Sequence, residues 1–151
     1  LDFSPTFIDY TNWAGAFLRE AFSYPVATVD IQATRTDRQL QVDVKLTEAT
    51  GLNNVAQHTR LLLWVVEDDI IDKQSMPDGT INSEYHHSHV LRGELLSEDA
   101  WGEKILLSED IAFARELTMP EKVVNPDNCS LVAVLIQDVT GEVIDVKQIK
   151  L

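Results

Sequence analysis

Apolar and polar residues alternate from Val29 onward: Val29, Ile31 and Ala33 are interleaved with Asp30, Gln32 and Thr34. Beyond Thr36-Asp37-Arg38 the alternation resumes, with Leu40, Val42, Val44 and Leu46 set between Gln41, Asp43, Lys45 and Thr47. Successive side chains of an extended chain point to opposite faces, so a period of two predicts a hairpin with one wet face. Ahead of it, Trp13, Ala16, Phe17 and Ala21 fall at i, i+3, i+4 and i+8. That is one apolar face of a helix, with Asp9 or Thr11 as cap and Ser23-Tyr24-Pro25 as its end, and such a face normally docks on the rest of the fold. Leu61-Leu62-Leu63-Trp64-Val65-Val66 is apolar without alternation, which predicts a central strand covered on both faces.

Glu67 to Ser83 carries the turn signal Met76-Pro77-Asp78-Gly79 and too little periodicity for a regular element, so a long surface loop is expected there. Further extended segments are expected at 84–91, at 100–106 around Trp101-Gly102, and at 111–117, with Pro120 and Pro126 framing a turn region. Ser130 to Ile136 and Val143 to Leu151, joined across Asp138-Val139-Thr140-Gly141, read as a last hairpin. About seven strands without alternating helices predict a mainly β fold, an immunoglobulin-like antiparallel β-sandwich with a short N-terminal helix. A small closed barrel is the competing architecture. The expected division is an N-terminal helical segment over 1–24, read as a docked helix or the end of a preceding domain, and a sandwich over 25–151.

The 151 residues suit one sandwich domain, and a composition of 44% hydrophobic and 25% charged residues is that of a folded protein. Charge changes the picture more: 25 Asp and Glu against 12 Lys and Arg give a formal −13. Such a field repels phosphate backbones and anionic head groups, so no nucleic-acid partner is expected. No apolar run reaches the length of a membrane span. Cys129, the only cysteine, has no partner for an internal disulfide and is expected to pack as a small hydrophobe. Leu1 in place of an initiator Met leads us to expect a processed or excised chain.

Unusual chemistry gathers in Tyr85-His86-His87-Ser88-His89-Val90-Leu91-Arg92, which holds three of the four histidines, and in the acidic run Glu67-Asp68-Asp69-Ile70-Ile71-Asp72. On one strand His87 and His89 would share a side, and His58 or the carboxylates of Glu67, Asp68, Asp69 and Asp72 could complete a divalent-metal site, with Asp68 and Asp69 the first candidates. Imidazoles tied to loop backbone are the commoner outcome for such a cluster. The acidic run lacks the spaced loop that calcium requires, and a solvated charge cluster explains it better. No nucleophile elbow, phosphate-cradling glycine loop or His-Glu-x-x-His occurs, so no catalytic residue and no cofactor are expected. Arg92, with five donors, is expected to act as a structural hub for loop carbonyls or a carboxylate of the 67–72 run. Trp64 is expected in the core and Trp101 partly exposed.

Taken in order and spacing, Leu63 to Ile71 with Gln74, then Tyr85, His87-Ser88-His89-Val90-Leu91-Arg92 and Trp101-Gly102, resemble the Omp28-related family of outer-membrane lipoproteins from Bacteroidetes. Ser88 stands where that family often has asparagine. The resemblance implies a cell-envelope protein, lipid-anchored or surface-associated, with a possible thioredoxin-like region upstream in the full precursor. It also implies that Glu67, Asp68, Gln74, Tyr85, His87, His89 and Arg92 form a structural motif fixing the loop against the sheet. The leading expectation is a non-enzymatic accessory or interaction domain with a protein or glycan partner at the cell surface. A metal-binding or metal-dependent hydrolytic site and a carbohydrate-binding module, the latter using Trp101 and Tyr85 on one surface, are the alternatives.

Overall fold

The computed structural model describes Trp13–Gly15, Phe17, residues 26–48 and residues 57–151. Ten strands follow one another: β1 (Ala27–Thr36), β2 (Gln39–Glu48), β3 (Gln57–Glu67), β4 (Ile70–Ser75), β5 (Ile81–His87), β6 (Val90–Glu94), β7 (Glu103–Leu107), β8 (Ile111–Thr118), β9 (Cys129–Gln137) and β10 (Val143–Lys150). One sheet has the order β1-β2-β8; the other runs β10-β9-β3-β6, with β7 also on β3. Every pairing is antiparallel. The two sheets share one core but no ladder, which makes the fold an antiparallel β-sandwich and not a closed barrel.

The alternation from Val29 to Leu46 becomes the register Val29 opposite Leu46 and Ile31 opposite Val44, so one face of β1 and β2 supplies a continuous apolar row. Asp37 closes this hairpin at φ 56°, a left-handed conformation that Asp tolerates better than most residues. β3 is central as expected. Leu61, Leu63 and Val65 enter the main core, while Leu62 packs on the outer face with Val134, Ile136 and the partly buried Trp64 and Val132. Cys129 is fully buried in the main core.

β6 and β7 divide one edge of β3 between them, β6 taking Trp64 to Glu67 and β7 taking Gln57 to Leu61. At the handover the Glu94 carboxylate accepts the backbone N–H groups of Leu63 and Leu96, both at 2.9 Å. Burial pushes the Glu94 carboxyl up from its ordinary range, against the N–H groups that hold it down.

Several expectations need correction. The segment after Glu67 is not a loop: β4 and β5 form a hairpin, pairing Ile70 with His87 and Ser75 with Ile81 around Met76 to Thr80. Both its faces are largely exposed, so selection for a dry face never imposed a period on its sequence. The expected strand over 84–91 is broken at Ser88-His89, where His89 adopts φ 55°, and the expected strand over 100–106 starts only at Glu103. These splits and the extra hairpin raise the strand number from about seven to ten. Of the N-terminal helix, Trp13–Gly15 and Phe17 are helical, and Trp13 and Phe17 are exposed where a docked face was expected; the remainder lies outside the described residues.

Candidate functional site

Strand parity sets the site at one end of the sandwich. Leu61, Leu63 and Val65 point into the core, and the same row ends in Glu67, whose side chain is 0% exposed. A carboxylate there demands donors. It receives them from the N–H of Val124 at 3.0 Å, the N–H of Asn125 at 2.5 Å and the Arg92 Nε at 2.6 Å. Burial pushes the Glu67 carboxyl up, but the Asn125 and Val124 N–H groups and the Arg92 guanidinium outweigh it and hold the group below its usual range.

Arg92 reaches Glu67 because β6 is irregular there: Val65 faces Gly93 while Val66 faces Leu91, which leaves Arg92 as the extra residue. Gly93 allows the 119–128 segment to close over the pair, since a Cβ there would sit 2.9 Å from Pro120 Cγ. That segment is tied down further by Arg38, which donates to the carbonyls of Pro120 and Val123 at 2.5 and 3.3 Å, and by a 3-10 turn at Pro126–Asn128.

The acidic run continues outward from this anchor. The Asp68 N–H donates to the Asn128 carbonyl at 3.0 Å, and Asp68 Oδ1 accepts the His89 N–H at 2.8 Å. Asp69, at φ 61°, turns the chain into β4 and contacts His86 Nδ1. Tyr85 and His87 meet edge to face with centroids 4.8 Å apart, and Gln74 Nε2 donates to the Ser75 carbonyl at 2.9 Å. Gln74, Tyr85, His86 and His87 border a shallow groove on the hairpin.

The expected motif residues thus divide into a buried core of Glu67 and Arg92, a backbone clasp of Asp68 and His89, and a solvated group of Gln74, Tyr85 and His87. His87 ends β5 and His89 lies in the turn beyond it, so the two do not share one side of a strand. No three or more His, Cys, Asp or Glu side chains among the described residues are gathered closely enough to hold a metal ion. Asp69 is drawn to His86, and His58 is far away in the β7-paired half of β3.

Trp101 does not join Tyr85. It follows Glu98 to Ala100 at the other end of the sandwich, beside Arg60, Lys104, Ile136 and Asp138. Arg60 and Glu67 are seven residues apart on β3, which separates the two ends by roughly 23 Å. Neither Arg60 nor Asp99 stands in a motif of the sequence, and Asp138 marks only a turn there. The one local sign is the parity of Arg60, which shares its outward row with the apolar Leu62 and Trp64.

Comparison with known proteins adds an identity to this geometry. The family model for outer membrane protein Omp28 matches residues 4–151. Among solved structures, a domain of the outer membrane lipoprotein Omp28 from Porphyromonas gingivalis is similar at 23% identity and a TM-score of 0.55, covering 83% of this chain and 95% of that one. HBP35 of Porphyromonas gingivalis is similar at 15% identity and a TM-score of 0.67, over 90% of this chain but only 45% of its own length. No curated protein matches the sequence.

Proposed function

Because this chain belongs to the outer membrane protein Omp28 family, and is by that membership a cell-envelope protein, we propose that it is a non-enzymatic interaction domain whose β4–β5 hairpin meets a protein partner at the cell surface. The observation that carries this role is the hairpin itself. It pairs with no third strand among the described residues, exposes both faces, and carries Ile71 and Ile81 at 58% and 69% exposure. An isolated two-stranded hairpin is marginal in water, so keeping one on a stable sandwich is a cost without a folding return. The Glu67–Arg92 anchor and the Asp68 to His89 bond fix its base, and among the described residues no third strand takes its outer edges, which suits β-strand addition. Lipid anchoring of the full-length protein, as in the similar Porphyromonas lipoprotein, agrees with this placement.

The test is site-specific photo-crosslinking in the host envelope, with the probe at Ile81 or Tyr85 on the hairpin and at Thr34 on β1 as control. A discrete adduct from the hairpin positions alone is expected. Equal labelling from all three positions would reject the hairpin as the contact. Hydrolytic turnover or zinc-dependent stabilisation lost in His87→Ala/His89→Ala would reject the non-enzymatic role.

A further inference from the structure

We propose that the cavity between Trp101, Arg60, Lys104, Asp138 and Val139, at the end of the sandwich away from the hairpin, is a binding site for a neutral pyranose ring. Its volume of about 360 Å³ lies at the lower end of the range for small-molecule sites, and its lining joins the apolar surfaces of Trp101, Ile136 and Val139 to a few charged groups. This combination suits a sugar, whose ring presents C–H groups on its faces and hydroxyls at its rim. An indole supplies the broad apolar platform with a negative face, and carboxylate, guanidinium and ammonium groups exchange hydrogen bonds with neighbouring hydroxyls.

The charge balance selects the class. Arg60 pairs with both Asp138 and Asp99, the latter at 3.0 Å, and Lys104 Nζ lies 3.2 Å from Asp138 Oδ2. Two cations against two carboxylates leave the site near neutrality within a chain of formal charge −13. A charged ligand would break this balance and meet either the local partners or the field of the chain, whereas a neutral polyol uses the remaining lone pairs and N–H bonds without displacing it.

The walls are held in place before any ligand arrives. Asp99 Oδ1 accepts the Trp101 N–H at 3.0 Å, and the Gly102 N–H donates to the Asp99 carbonyl at 2.9 Å. Gly102, at φ 76°, presses so closely on β3 that a Cβ would lie 2.3 Å from the Leu61 carbonyl oxygen. Opposite, Gln137 Oε1 accepts the N–H groups of Val139 and Thr140, both at 2.6 Å, and the Asp138 N–H donates to the His58 carbonyl at 2.8 Å. A preorganised site of this kind loses little freedom on binding. Trp101 is 53% exposed, so a ligand has indole surface left to cover.

The experiment follows the three indole N–H signals of the 15N-labelled chain during titration with glucose, galactose, mannose and N-acetylglucosamine, and with glucuronic acid as a charged control. Millimolar, saturable shifts confined to the Trp101 signal and the amides of 136–141 are expected for at least one neutral sugar. Trp101→Ala should weaken binding at least about tenfold while the amide spectrum stays that of the folded sandwich, and Trp101→Phe should restore part of it. No saturable shift with any neutral sugar, a response to glucuronic acid only, or unchanged affinity in Trp101→Ala would overturn the proposal.

Discussion

Glu67→Gln probes the energetic centre of the molecule with the smallest change in shape. In the parent the buried carboxylate accepts two backbone N–H groups, from Val124 and Asn125, and one from Arg92. The amide oxygen of Gln can replace part of this, but its NH2 group opposes the Nε–H of Arg92, whose side chain is itself only 15% exposed. At least one buried donor then loses its acceptor. Breaking one side of such a pair costs roughly 3–5 kcal/mol, against a total stability of about 5–15 kcal/mol for a single domain. Urea denaturation should register that loss directly, and for a chain of this size Tm should fall by about 6–20 °C. Amide exchange should localise it, with Val124 and Asn125 losing protection before β3 and β9. In a double-mutant cycle with Arg92→Met the two effects should couple by at least about 1 kcal/mol. The pH dependence follows from the lowered carboxyl: its contribution is complete above the ordinary value of 4.5 and is lost as pH falls through the lower folded value. The gap between parent and Glu67→Gln should therefore narrow in acid. A loss below about 1 kcal/mol at neutral pH, with Val124 and Asn125 still protected, would refute the anchor as the element holding the 119–128 segment.

Three further outcomes follow from the same geometry. Gly102→Ala combines a positive φ with a Cβ 2.3 Å from Leu61 O and should cost more than about 2 kcal/mol, while Gly79→Ala, at φ 83° with nothing within 4 Å, should cost only about 1–2 kcal/mol; urea midpoints of the two variants should rank in that order. Burial, with the nearby Glu67 charge, pushes the Cys129 thiol up, so iodoacetamide should leave the native chain unmodified and label it fully in denaturant; rapid native labelling would mean the end of β9 opens readily. Leu63→Ala, fully buried on β3, should lose about 2–5 kcal/mol, and Leu106→Ala, 53% exposed on β7, less than about 1 kcal/mol, as read by urea denaturation.

Much of the sandwich is legible in the chain because a strand buried on one face leaves a period-two trace and a strand buried on both leaves an unbroken apolar run. Val29 to Leu46, Leu61 to Val66 and Ser130 to Ile136 each sit in the strand their patterns required, and the Omp28 resemblance rested on residues that surround β3, β4 and β6. The β4–β5 hairpin escaped for the opposite reason, since a hairpin exposed on both faces has no apolar row to reveal it. In the sequence Glu67 belongs to an acidic run and to the motif expected to fix the loop, while strand parity places it at the end of the row Leu61, Leu63, Val65, where a core-facing carboxylate requires buried donors. Arg92 is the donor expected for a carboxylate of the 67–72 run; that this carboxylate is Glu67, and that Val124 and Asn125 add backbone N–H groups, is encoded by no side-chain identity or local pattern.

The sequence by itself determined that the chain makes an antiparallel sandwich around Leu61 to Val66, because burial on one or both faces of a strand is a local constraint that the order of apolar residues records. Tertiary structure alone decided that the histidines disperse around a hairpin base and that Arg60, Trp101 and Asp138 meet at the far end. Those encounters depend on strand order and register, which bring together residues separated by up to 78 positions, and no local pattern records such a distance.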